Sequence, residues 1–345
     1  MTTVLESLNA ALHRLFAEDE RVVLIGEDIL DPYGGAFKVT RGLSSAYPDR
    51  VLTAPVSEAG IVGVGAGMAL RGLRPVVEIM FGDFLTLAAD QLINHAAKFR
   101  WMYNEQVSLP LVIRTPMGGR RGYGPTHSQT LEKLFMGVPG LRLLAPTALG
   151  DPGELLYNAV RYSDDPILFI ENKLLYTHSL HGEDLAQDFT PSPLTPHSSP
   201  LSPIPSSPVY SLSLRDAPPA VLTLATYGYM AELALQAARR LAYDHEVFTD
   251  LLVFTELSPF NLQPLTLSLQ RTRKLLTIEE GSYTLGWGAE VVARAAEALG
   301  SRMKAARRLA ARDMPVPASG PLETAALPGV DEIVKLGMEL VKGEG

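Results

Sequence analysis

Glu58 has the surroundings that chemistry would require. An extended run, Arg50-Val51-Leu52-Thr53, leads through Ala54-Pro55-Val56-Ser57 to this glutamate, and no other polar side chain occurs from Ala59 to Leu70. Ser57 stands where a helix N-cap belongs, so Glu58 opens a helix. A carboxylate in a first helical turn complements the partial positive charge there by about 0.3–1 kcal/mol, and that role alone accounts for many such residues. Facing an apolar strip, it would also be desolvated and its pKa raised, as acid–base catalysis needs. The glycines at 60, 63, 65 and 67 each give up roughly 0.8–1 kcal/mol of helix propensity. That cost is accepted where another backbone or a flat ligand must lie close.

Three further places carry reactive or ligand-binding residue types. His127 ends a loop rich in glycine and arginine, Met117-Gly118-Gly119-Arg120-Arg121-Gly122-Tyr123-Gly124-Pro125-Thr126-His127-Ser128-Gln129. Taken alone it is a cap or a surface residue. Phe81 and Phe84 flank Gly82-Asp83 just after Met80, and taken alone they are a core pair beneath a turn. Gly26-Glu27-Asp28 follows the apolar run Val22-Val23-Leu24-Ile25, at a strand's carboxyl end, where open α/β sheets place their ligands.

These residues need a scaffold, and the totals allow one. The 345 residues suggest two domains, and 46% hydrophobic content supplies a core for each. A formal net charge of −8, with no basic run longer than Arg120-Arg121 or Arg307-Arg308, argues against nucleic-acid binding. With no cysteine, disulfides and thiolate metal sites are excluded. The start, Met1-Thr2-Thr3-Val4-Leu5-Glu6, lacks the pattern of a signal peptide, and no apolar run approaches the roughly 18–20 residues of a membrane span. The expectation is a soluble cytoplasmic protein.

Apolar spacing predicts a helix over 4–19, and a buried strand follows at 22–25. The Glu58 helix stops near Gly72, and a strand follows at 75–80. A long helix from Leu85 to Tyr103 and a strand at 109–114 come next. After the loop, a helix begins near Ser128, then a strand at 141–144, a helix at 151–162 and a strand at 167–170. Alternation of this kind means a parallel sheet covered on both faces. From Pro191 to Pro208 seven prolines are interleaved with Ser and Thr, so 177–219 reads as an extended, mobile linker. The pattern resumes with strands at 221–225, 251–254 and 274–280 and helices at 230–243, 264–272, 286–299 and 330–341. The fold class is therefore α/β with two parallel-sheet domains: 1–176, the linker 177–219, and 220–345.

Gly26-Glu27-Asp28, Pro55-Val56-Ser57-Glu58, Gly72-Leu73-Arg74-Pro75-Val76-Val77-Glu78, His127-Ser128-Gln129 and Pro139-Gly140-Leu141 occur in the order and spacing of one group. The chain resembles the β subunit of the thiamine-diphosphate-dependent decarboxylating component of 2-oxo-acid dehydrogenase complexes, in the transketolase-like superfamily. The likeness covers nearly all of 3–176. It returns more weakly over 220–341, through Ile278-Glu279-Glu280-Gly281, Gly286-Trp287-Gly288-Ala289-Glu290 and Ala311-Arg312-Asp313-Met314-Pro315-Val316-Pro317. It implies a pyrimidine-binding domain followed by a transketolase C-terminal-type domain. It assigns Glu58 to a ring nitrogen of the cofactor's aminopyrimidine, favouring the imino tautomer that removes the thiazolium proton. Phe84 would contact the pyrimidine ring, with Met80 in the same stretch. His127 would face the substrate end of the cofactor, stabilising a carbonyl oxygen or assisting acyl transfer to a lipoyl arm.

Arg120-Arg121 is bulkier and more basic than the loop expected from that likeness. The pair either holds an anionic group of substrate or partner, or is simply solvated. The Gly-Asp-Gly start of a magnesium–diphosphate site is missing, since Gly82-Asp83-Phe84 lacks the second glycine. The resemblance gives that job to a separate α subunit, with thiamine diphosphate and magnesium shared in an α2β2 assembly that docks on a lipoyl acyltransferase core. Some relatives bind potassium near 159–165; the loop Arg161–Pro166 is one residue longer here, and no metal is assigned. The expected function is decarboxylation of pyruvate or a related 2-oxo acid with acyl transfer to lipoamide. An acetoin-type dehydrogenase, a carbon–carbon ligase of a specialised pathway, and a non-catalytic assembly subunit are the alternatives.

Overall fold

Val22–Gly26 is buried at every position and forms strand β1, as an unbroken apolar run should when a parallel sheet is covered on both faces. A computed structural model describes residues 2–181, 183–194 and 207–343. The chain divides into two compact units. The first comprises 2–117 and 134–180, and the second takes 118–133 together with the described residues from 181 onward.

In the first unit, helix α1 (Val4–Glu18) leads into β1. Then come α2 (Leu43–Ala46), β2 (Val51–Thr53), α3 (Glu58–Leu70), β3 (Arg74–Glu78), α4 (Phe99–Met102), β4 (Val112–Met117), β5 (Arg142–Leu144), α5 (Pro152–Tyr162) and β6 (Ile167–Asn172). The strands run in the order β5-β6-β4-β3-β1-β2, each parallel to its neighbour. Helix α3 packs on β3 so closely that a Cβ on Gly65 would come within 2.7 Å of Val77 Cγ2.

Residues 82–103 do not form the single long helix expected. A 3₁₀ helix (Gly82–Ala88), a π-helical stretch (Gln91–Ala96) and the short α4 follow one another. The buried positions Leu85, Ala88, Leu92 and Ala96 are spaced by three, four and four residues, as a regular helix would also have them. The apolar pattern therefore does not distinguish one continuous helix from this succession of pitches, and packing decides between them.

The second unit contains α6 (Glu183–Asp188), β7 (Phe189–Leu194), β8 (Val209–Leu214), β9 (Leu222–Tyr227), α7 (Met230–His245), β10 (Thr249–Phe254), β11 (Glu256–Ser258), α8 (Gln263–Thr272), β12 (Lys274–Ser282), α9 (Trp287–Leu299), β13 (Ala305–Ala311), α10 (Gly320–Ala326) and α11 (Val330–Lys342). Its sheet runs β13-β12-β9-β10-β8-β7, with the first four strands parallel and the last two antiparallel. The stretch read as a linker therefore contributes an edge hairpin. Alternating polar and apolar residues in Val209–Leu214 pair with Phe189–Leu194, and the prolines of β7 fall on the sheet's edge, where missing donors cost least. The remaining part of that stretch, 195–206, lies outside the described residues. Among the described helices none is long and apolar enough to cross a membrane.

Candidate active site

Glu58 begins α3 and is buried. Ser57 occupies the N-cap position, but its hydroxyl makes no capping bond. Its backbone N–H donates instead to Glu27, the buried carboxylate that follows β1. Burial, and then the nearby Glu58 charge, raise the Glu27 carboxyl above its usual range. Glu27 Oε1 is buried without a hydrogen-bond partner among the described residues. Two carboxylates thus meet at a sheet's carboxyl edge, one of them with an unsatisfied oxygen. The opposite face of α3, turned away from Glu58, is open: nothing lies within 4 Å of a Cβ built on Gly67, and only Gln91 Cγ, at 3.8 Å, near one on Gly63.

Met80 and Phe84, both half-buried, follow β3 in the same unit. The Phe84 ring meets Phe81 edge-on at 5.9 Å, Phe81 meets Phe37 at 5.7 Å, and Phe37 lies 5.4 Å from Tyr176. Lys173 Nζ stands 5.2 Å from the Phe81 ring centre. Tyr176 links this aromatic chain to a buried ion cluster that the sequence pattern does not reveal. Arg114 on β4 holds Glu171 with two bonds, Nε to Oε1 at 2.9 Å and Nη2 to Oε2 at 2.5 Å, and its Nη1 donates to Glu78. Tyr176 also donates to Glu171. Burial alone would lower the Arg114 pKa, but Glu171 and Glu78 raise it, so it stays charged. The available signal was a charged residue near the carboxyl end of each of three apolar strands.

His127, Arg120 and Arg121 belong to the second unit. The helix expected to begin at Ser128 is reduced to one 3₁₀ turn, Glu132–Leu134, because the Gln129 carbonyl accepts from Gly118 N–H and closes the loop's base. His127 is half-buried, with Nδ1 3.0 Å from Thr126 Oγ1, and its N–H donates to the Gly124 carbonyl. Arg120 is turned inward: its guanidinium donates to the Pro328 carbonyl, and Nε lies 3.6 Å from Glu280 Oε2. That differs from an arginine presented to a substrate anion. Arg121 is exposed, 6.0 Å from the Tyr123 ring centre.

Comparison with known proteins places these features. The transketolase pyrimidine-binding domain model matches residues 1–178, and the transketolase C-terminal domain model matches 214–333. A mitochondrial pyruvate dehydrogenase E1 component subunit beta-1 of Arabidopsis thaliana is 36% identical over 96% of this chain and 87% of its own length. A 2-oxoisovalerate dehydrogenase subunit beta of Pseudomonas aeruginosa is 36% identical over 84% of this chain and 81% of its own. The chain belongs to the β-subunit family of thiamine-diphosphate-dependent 2-oxo-acid dehydrogenases. In this β-subunit family member the fold also matches solved transketolases. A split-gene transketolase, an inactive β4 tetramer, aligns with a TM-score of 0.73 at 18% identity over all of both chains. Transketolase from Leishmania mexicana aligns at 0.67 and 17% identity, over 98% of this chain and 45% of that one.

Proposed function

We propose that the chain is the β subunit of a heteromeric enzyme that decarboxylates pyruvate or a branched 2-oxo acid and passes the acyl group to lipoamide, with an α subunit completing the site. The observation that carries the reading is the buried Glu58 at the start of α3, next to the buried, unsatisfied carboxylate oxygen of Glu27. A partly desolvated carboxylate in that place suits a planar nitrogen heterocycle, and the half-buried Phe84 of the same unit offers a ring face or edge. Thiamine diphosphate, when bound, supplies the carbanion chemistry that makes decarboxylation of a 2-oxo acid feasible. Glu58 would hold the aminopyrimidine ring by a hydrogen bond and move a proton at its ring nitrogen. Glu27, raised by burial, would keep a proton available to Glu58. His127 would donate toward oxygen as charge develops there, and exposed Arg121 remains available to an anionic substrate or partner.

The test uses the chain co-purified with its α partner, supplied with thiamine diphosphate and magnesium. Decarboxylation of several 2-oxo acids is followed with an artificial electron acceptor, and then acyl transfer to lipoamide. Glu58→Gln should lower turnover by roughly 10²–10⁴-fold. Wild-type turnover retained in that variant, or no turnover from a stable cofactor-bound wild-type complex, overturns the reading.

A further inference from the structure

The loop that presents His127 has an unusual backbone. Gly118, Arg120, Gly122 and Gly124 all have left-handed φ, at 97°, 68°, 69° and 77°. For a non-glycine residue such as Arg120 that conformation costs roughly 1–2 kcal/mol, and it persists only where the surroundings enforce it. Backbone N–H groups in such turns converge and form an anion-binding concavity. Here the anions come from the chain itself. Glu280 Oε1 accepts from Gly119 N–H at 2.7 Å. Glu323 Oε1 accepts from Arg120 N–H at 2.7 Å, and its Oε2 from Gly122 N–H at 3.1 Å. Both carboxylates are buried, at 5% and 3% exposure; the bond to Gly119 is fully buried and the two to Arg120 and Gly122 are partly so.

Close packing secures the same turn. A Cβ on Gly119 would lie 2.7 Å from Leu327 Cδ1 and 3.1 Å from Glu323 Oε1. The Arg120 side chain adds its bonds to Pro328 and its approach to Glu280. From the end of this turn at Gly124 the chain runs only three residues to His127.

We propose that Glu323 and Glu280 are positioning residues, whose carboxylates fold the 118–124 turn by accepting its backbone N–H groups and thereby fix where His127 stands. The proposal rests on the reading of His127 as an active-site group. The two carboxylates act through the turn and touch no reacting atom. Their loss moves His127 without removing it, and displacement of a catalytic group by about 1 Å can cost on the order of 10²-fold in rate.

The experiment compares Glu323→Gln, Glu280→Gln, His127→Ala and the double variant Glu323→Gln/His127→Ala, each as the assembly with the α partner and each normalised to titrated active sites. Glutamine at 323, where both oxygens accept, turns an amide NH2 toward one of the turn's N–H groups; at 280 it can accept from Gly119 only by setting its NH2 against Arg120 Nε in place of the carboxylate oxygen there. The expected result is a kcat lower by roughly ten- to a hundredfold in both single variants, with KM for the 2-oxo acid changed less than about threefold. The double variant should be no slower than His127→Ala alone. Trypsin should also cut after Arg120 or Arg121 faster in the native Glu323→Gln assembly than in wild type. If one variant does not assemble, the other and the proteolysis rate carry the test. Collapse of His127→Ala with wild-type kcat and wild-type proteolysis in the carboxylate variants overturns the positioning role and leaves the proposed function standing. Full activity in His127→Ala instead overturns the role of His127, and the proposal with it.

Discussion

Glu27 and Glu58 form a like-charged pair held at the junction of β1 and α3, and the protein tolerates it by keeping one proton more tightly than usual. Burial is the main cause of the raised Glu27 pKa, followed by Glu58 and Asp28, while the Ser57 N–H opposes them. In the unfolded chain Glu27 loses its proton near the ordinary value of about 4.5; in the folded chain it does so at higher pH. The folded state therefore binds more protons in that interval, and its stability falls as pH rises through it. Glu27→Gln keeps an acceptor for Ser57 and removes the charge. Its urea midpoint should match wild type near pH 4 and exceed it at pH 7; an unchanged difference across that range would refute the linkage. Glu58 was legible in the sequence because it is the lone acid before an apolar, glycine-rich helix. The Arg114–Glu78–Glu171 cluster was not, because each residue alone looks like a solvated strand end. Only the strand order β6-β4-β3 brings them together.

Helix α3 separates two uses of glycine that its sequence does not distinguish. Gly65 faces β3, and a methyl there would press on Val77 Cγ2 at 2.7 Å and Leu111 Cδ1 at 3.2 Å. Gly65→Ala should cost about 1–3 kcal/mol of stability. Gly67 faces open space, so Gly67→Ala should leave the chain as stable or firmer by roughly 0.4–1 kcal/mol. If that glycine admits a neighbouring backbone or a flat ligand, the same change should weaken association with the α partner or the cofactor. Thermal unfolding of the chain and a titration of the complex would read the two effects separately, and equal destabilisation by both substitutions would remove the distinction. A second element carries a pH dependence of its own. Glu279 on β12 accepts N–H groups at the start of α9. Burial, then Glu132, pushes it up to about 8. Stability should fall from roughly pH 4.5 to about 8 and level off above. Glu279→Gln, which still accepts from Gly288, should flatten that slope in denaturant melts, and an unaltered slope would assign it elsewhere. Strands were the most legible elements, since continuous apolar runs leave few alternatives. The 82–103 segment and the β7–β8 hairpin were not, because a change of helical pitch and a proline-bearing edge strand are set by what packs against them.

At the scale of the whole molecule, a family member that aligns over 96% of its length with a pyruvate dehydrogenase β subunit still lacks the Gly-Asp-Gly start of a diphosphate site, having Gly82-Asp83-Phe84. Among the described residues no group of three or more histidine, aspartate or glutamate side chains is arranged to hold a metal ion. The two ends of thiamine diphosphate make different demands: a carboxylate and an apolar wall for the pyrimidine, a cation for the diphosphate. In the proposed reading, Glu58 and α3 meet the first demand and a second polypeptide meets the other. Binding that favours the folded state stabilises it by RT ln(1 + [L]/Kd), about 2.7 kcal/mol at a hundredfold excess over Kd. Thiamine diphosphate with magnesium should therefore raise the unfolding temperature of the co-purified assembly by a few degrees and leave the chain on its own unmoved. Glu58→Gln in the assembly should shrink the rise, since one of the cofactor's two anchors is weakened. A shift of equal size in the isolated chain would place the diphosphate site within this polypeptide and make the α partner dispensable for cofactor binding.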